Sequence, residues 1–389
     1  MMHLRTIGTG RMLCLSAVMV FGTLTTGCLT AAGKEPVALP EADRIVDIIE
    51  LVNDRWQDGH PDPGRAFWDN AAYHTGNMEA YAITGKQAYL DYSIQWGERN
   101  QWMGARSTDR TKWKYTYGES DDFVLFGDWQ ICFQTYVDLY NIRHDEKMIT
   151  RAREVMEYQM STDANDYWWW ADGLYMVMPV MTRLHKVTDN PQYLEKLHDY
   201  FSYAKGIMYD EETGLFFRDA KYVYPAHKSV NGLKDFWARG NGWVFAGLAR
   251  VLADLPREDA HREEYIRIYK RMAETLADCR QEGGFWTRSL LDPEHAPGYE
   301  TSGTAFFTYG FLWGINNGIL DRETYLPVAL QGWEYLTTTA LQDNGKVGYV
   351  QPIGERAIPG QVVDAGSTSN FGVGAFLLAA AEMHRLAAN

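Results

Sequence analysis

The chain has 389 residues, 46% hydrophobic and 23% charged, an ordinary globular composition with ample apolar material for one large core. Its net charge of −14 argues against a nucleic-acid partner, because no basic stripe could offset it. An acidic small molecule is not excluded, since local charge decides that.

The first 28 residues read as an export signal rather than as fold. Arg5 and Arg11 precede an apolar run from Met12 to Leu24, which is short for a membrane span, and Gly27-Cys28 resembles a bacterial lipobox. We therefore expect an exported bacterial protein, periplasmic or held at a membrane through a lipid on Cys28. Residues 29–41 are then a short linker, and 42–389 form one catalytic domain. Cys14 falls inside the signal. Cys132 and Cys279 lie in apolar helical patterns and read as buried thiols. No His-Glu-x-x-His, Cys-x-x-Cys or calcium-loop pattern occurs, so we expect no catalytic metal and no cofactor.

From residue 42 onward, apolar spacing predicts helices near 42–57, 69–84, 86–100, 125–142, 145–160, 172–188, 191–207, 241–255, 261–279, 302–318, 321–341 and 370–387. Extended pieces at 214–218, 222–224, 285–288 and 348–351 read as short β-hairpins in loops. The fold class expected is all-α, an (α/α)6 barrel of six inner and six outer helices in a single domain. An open helical array is the alternative, but no repeat of fixed period stands out. In a barrel, the loops at one end of the inner helices line a pocket, so functional residues should sit at helix starts.

Five stretches could carry chemistry. Gly127-Asp128-Trp129-Gln130 opens a helix, with Asp128 as its N-cap or as one of two catalytic carboxylates. Trp168-Trp169-Trp170 precedes Asp172. Indoles beside an Asp raise its pKa, which suits a proton donor, and offer flat faces for sugar rings. The alternative is that Asp172 caps its helix and the indoles are core, and local sequence does not decide between the two. Arg218, His227 and Lys228 bring three potentially positive groups close together in sequence. In Trp237-Ala238-Arg239-Gly240-Asn241-Gly242-Trp243 the glycines suggest a sharp turn that presents Arg239 ahead of a helix as a carboxylate clamp, with tryptophans as a sugar wall. Glu300-Thr301-Ser302-Gly303 opens another helix with hydroxyls that either cap it or line the pocket.

Trp170-Ala171-Asp172-Gly173-Leu174-Tyr175-Met176, Arg239-Gly240-Asn241-Gly242-Trp243, Glu300-Thr301-Ser302-Gly303-Thr304-Ala305, Trp313-Gly314-Ile315-Asn316-Asn317-Gly318 and Gly372-Val373-Gly374-Ala375-Phe376 occur in this order. Together they resemble the unsaturated glycuronyl hydrolases of glycoside hydrolase family 105, related to family 88. The resemblance covers the chain from about residue 42 to its end and implies an (α/α)6 barrel. It implies removal of a 4,5-unsaturated uronic acid from acidic oligosaccharides by hydration of the C4=C5 bond, with Asp172 as acid and Asp128 as second carboxylate. Arg239, Trp243 and Trp170 match positions around the unsaturated sugar, and Tyr73 is a weaker match. The chain departs from the pattern at Arg218, where many members place a His, and this leaves the identity of the acidic glycan open. Two other readings stand beside this one: an inverting glycosidase on saturated sugars, and a non-catalytic glycan-binding lipoprotein.

Overall fold

The computed structural model describes residues 38–389. The export signal, Cys28 and most of the expected linker lie outside them. The described chain forms helices α1 (Ala42–Gly59), α2 (Trp68–Thr84), α3 (Gln87–Arg99), α4 (Gly127–Gln130), α5 (Cys132–Arg143), α6 (Lys147–Met160) and α7 (Ala171–Thr188). It continues with α8 (Gln192–Met208), α9 (Ala238–Asp254), α10 (Arg262–Asp278), α11 (Thr301–Asn316), α12 (Arg322–Tyr335) and α13 (Asn370–Ala387). The helix expected over 125–142 is broken at Ile131, and α12 runs into a π-helical turn at Leu336–Ala340.

Packing closes these helices into a ring. α2 packs on α5, α5 on α7, α7 on α9, α9 on α11, α11 on α13, and α13 back on α2. The remaining long helices, α1, α3, α6, α8, α10 and α12, each pack outside an inner neighbour. The sequence dictates this sorting. Outer α1 buries only a stripe, Ile45, Ile49, Val52 and Asn53, whereas inner α9 and α11 are buried nearly all round. α2 and α13 approach each other closely at two glycines. A β-carbon on Gly76 would lie 2.2 Å from the Gly374 carbonyl oxygen, so only glycine fits.

Connections from inner to outer helices are short, while those from outer to inner helices are long, such as 100–126, 209–237 and 341–369. The long loops therefore gather at the N-terminal ends of the inner helices. The expected hairpins are reduced to isolated bridges, Trp170 to Asp219, Tyr209 to Phe216, Trp237 to Ser289 and Leu341 to Val347, because each loop turns away after a single pair. Tyr222 closes a 3-10 turn instead of an extended piece. No helix among the described residues is long and apolar enough to cross a membrane.

Candidate active site

At the mouth, the second residues of α2, α7, α9, α11 and α13 are Asp69, Asp172, Arg239, Ser302 and Phe371, and that of the short α4 leading into α5 is Asp128. First-turn N–H groups and the positive helix end favour anions there. Neither Asp128 nor Asp172 caps its helix. The caps are Phe126 and Trp170, in extended backbone. Glu300 shows what a capping acid does: its carboxylate accepts from the Ser302 and Gly303 amides.

Asp172 sits against Arg218. The Trp170–Asp219 bridge and the hydrogen bond from the Ala171 amide to the Arg218 carbonyl, 2.8 Å, lay the Arg218 segment beside the first turn of α7. Arg218 Nε then stands 3.6 Å from Asp172 Oδ2, and neither atom has a hydrogen-bond partner. Burial raises the Asp172 carboxyl above its usual range, while the charges of Arg218 and Arg239 oppose that rise. Asp128 is pushed up further, by burial and by the charge of Asp172. Arg218 opposes the rise at Asp128 too, and both enclosed carboxyls are shifted toward their protonated forms, as a proton donor in the site requires.

Arg239 is placed differently from the expected clamp. It lies inside the first turn of α9 rather than ahead of it, and only 1% of it is exposed. It is sandwiched between the Trp237 and Phe371 rings. Its Nη1 donates to the Gln351 carbonyl at 2.7 Å, and its Nη2 to the carbonyls of Pro352 and Gly354 at 3.0 and 3.4 Å. Burial lowers its pKa to about 10. Its guanidinium thus ties the α12–α13 loop across the mouth, in place of a turn-borne group open to a ligand. Gly242 is helical too, and its role is packing: a β-carbon there would meet Phe306 Cβ at 3.0 Å.

The expected sugar wall shifts by one residue. Trp170 and Trp243 are fully enclosed, Trp170 against Phe126 and Trp243 against Tyr175 and Phe306. Trp169 is the half-buried member of the run, with the Arg218 guanidinium 5.8 Å above its ring. Tyr73 is buried, donating to Asn53 Oδ1 at 2.6 Å, and lines a recess of about 250 Å³ with Trp56, Asp69, Tyr92 and Phe371. Ser302 is buried and donates to Glu300 Oε1 at 2.6 Å. His227 pairs with Asp235 at 2.9 Å, and Lys228 is exposed with its ammonium 5.4 Å from the Tyr224 ring. The structure therefore brings Asp128, Asp172 and Arg218 together and gives Arg239, Ser302 and His227 protein partners.

Sequence reasoning passed over Asp69, Asn370 and Glu355. Asn370 Nδ2 donates to Asp69 Oδ2 at 2.9 Å, joining the first turns of α2 and α13 at the rim. Glu355 reaches Arg218 Nη1 at 3.6 Å from a loop 137 residues later (355 − 218). The helix-start rule could have found Asp69, but nothing in the sequence points to Glu355. Among the described residues, His198, His261 and Glu264 have metal-ligand spacing; they lie on α8 and at the start of α10, outside the ring, and Lys205 already holds Glu264. Cys132 and Cys279 are free thiols, Cys132 buried and Cys279 partly so, and burial raises the pKa of both.

The model of Glycosyl Hydrolase Family 88 matches residues 43–387. The unsaturated 3S-rhamnoglycuronyl hydrolase of Formosa agariphila is 33% identical over 346 residues, 85% of this chain and 88% of that protein. A solved glycosyl hydrolase family 88 protein from Bacteroides vulgatus is 60% identical with a TM-score of 0.88, covering 89% of this chain and 99% of that one. Another solved structure, named a polysaccharide lyase, is 67% identical with a TM-score of 0.87, covering 89% and 98%. With a closed helical ring, acids at its mouth and a family match over almost the whole described chain, this protein belongs to Glycosyl Hydrolase Family 88 and is a glycoside hydrolase.

Proposed function

We propose that the enzyme removes a 4,5-unsaturated uronic acid from the non-reducing end of lyase-generated oligosaccharides, with Asp172 as the acid. The observation that carries this reading is the pair of enclosed acids, Asp128 and Asp172, with a cation 3.6 Å from one of them. Arg218, whose side chain is mostly enclosed but keeps 13% exposure, takes the uronate carboxylate. Asp172 gives its proton to C4, which leaves an oxocarbenium ion at C5. Water adds there and returns a proton to a carboxylate, Asp172 itself or Asp128. The C5 hemiketal opens to a ketone, and the hemiacetal freed at C1 collapses to an aldehyde and releases the sugar chain. Trp169 offers the open indole face beside this site.

The name of the Formosa relative supports a rhamnose-containing unsaturated glycuronyl oligosaccharide as substrate. The name of the 67%-identical structure raises a second reading, a lyase that creates the double bond. The Glycosyl Hydrolase Family 88 match and the name of the Formosa relative weigh against it. The test is an ultraviolet screen on lyase products of pectin, ulvan, gellan and arabinogalactan. Loss of the C4=C5 absorbance supports the hydrolase; a gain of absorbance on intact polysaccharide makes the protein a lyase.

The same reading includes export. The segment ending at Cys28 supports a lipid-anchored protein, so labelled fatty acid should enter the wild type and not Cys28→Ala. Equal labelling of both would remove the anchor from the account.

A further inference from the structure

Arg218 is crowded by three carboxylates. Asp219 Oδ2 lies 2.5 Å from its Nη1, Glu355 Oε2 3.6 Å from the same nitrogen, and Asp172 Oδ2 3.6 Å from Nε. Lys221 is a second cation at this cluster, 3.4 Å from Glu355 and 3.8 Å from Asp219. With Asp172 holding its proton as the acid, Asp219 and Glu355 already offset the two cations before any ligand arrives. A uronate would bring a third negative charge, and like charges at this separation in a partly enclosed site repel strongly. One resident carboxylate must give way or be neutralised.

The three differ in freedom. The Asp219 side chain is 3% exposed and also accepts from the Lys221 amide at 2.8 Å. Asp172 is fixed on the first turn of α7, with 12% exposure. The Glu355 side chain is 46% exposed and stands on a loop whose neighbours Pro352 and Ile353 are also exposed. Its remaining hold is a hydrogen bond from the Tyr222 hydroxyl at 2.6 Å and the charge of Lys221. The Arg239 ties end at Gly354, one residue before it, so the loop is anchored up to the point where Glu355 begins.

We propose that Glu355 is a placeholder carboxylate, occupying in the empty site the edge of Arg218 that the substrate's uronate takes, and swinging out when the uronate binds. This rests on the reading of Arg218 as the uronate ligand. The exchange keeps Arg218 compensated and ordered in the absence of substrate, at the cost of competition for it. Burial works against ionised Glu355, but the Tyr222 hydrogen bond and the charges of Arg218 and Lys221 hold it below the usual carboxylate range, so it competes as an anion.

The test is the Michaelis constant of wild type and Glu355→Gln on an unsaturated uronyl disaccharide and on its uncharged methyl ester. Removing an exposed competing ion pair should lower KM for the acid by about two- to fivefold. The improvement should appear in KM rather than kcat, be absent with the ester, and vanish in an Arg218→Ala background. A KM for the acid that is unchanged or higher in Glu355→Gln, or an equal gain with the ester, overturns the placeholder. Absence of turnover by the wild type on every uronyl substrate overturns the functional reading itself, and the two failures are therefore distinct.

Discussion

Asp172 carries the chemical account, and its environment sets two expectations. Substitution by Asn keeps the shape and removes the proton, so kcat should fall by roughly a thousandfold, within the range that general acids contribute, with little change in KM. Stability should move the other way. The folded-state pKa of Asp172 is raised by burial. Between its unfolded and folded values the unfolded chain has released a proton that the folded chain keeps. Stability therefore falls as pH rises through that window, and above it the enclosed charge remains a cost. Asp172→Asn should have a higher Tm than wild type at neutral pH, and the difference should disappear below the unfolded carboxylate pKa. Thermal melts across pH check this; a lower Tm at neutral pH would mean that Asp172 is held by stabilising contacts. The acid was legible in sequence because it follows three indoles. Which indole stays open was not, since that depends on Phe126, Tyr175 and Phe306 arriving from other helices. Arg239 was legible as special, but its partners lie more than a hundred residues away at Gln351 and Pro352, beyond any local pattern.

At the scale of elements, helical periodicity located the long helices to within three residues, except that 125–142 breaks at Ile131 and 321–341 overruns the end of α12, because each buries either a stripe or its whole circumference. The start of α9 was misread for a physical reason. Gly240 and Gly242 look like turn formers, yet they lie in the first five residues of the helix, where a β-carbon would crowd the neighbouring Trp237 and Phe306 side chains. The same logic applies more sharply where α13 meets α2. A β-carbon on Gly374 would lie 2.4 Å from the Ala72 carbonyl oxygen and 2.8 Å from Tyr73 Cα, both backbone atoms that cannot step aside alone. Gly374→Ala should therefore destabilise the enzyme by about 1–3 kcal/mol, the usual cost of overpacking. Urea denaturation measures it, and an unchanged midpoint would mean that the ring opens more easily than this packing implies.

At the scale of the molecule, antiparallel helix pairs closed into a ring send every inner-helix N-terminus, and every long loop between outer and inner helices, to the same end. That arrangement made the mouth predictable from helix count alone. The loop-borne Glu355 and the tie between Arg239 and the α12–α13 loop are invisible at this scale too, because they depend on how long irregular segments fold over the ring. The central claim is that the double bond is hydrated before the sugar chain departs. It is tested most directly by following C4=C5 absorbance and released chain together, in one reaction on a purified unsaturated oligosaccharide. The account predicts that absorbance falls by one double bond for each chain released, and that both changes are lost in Asp172→Asn. Chain release with the absorbance retained would contradict it.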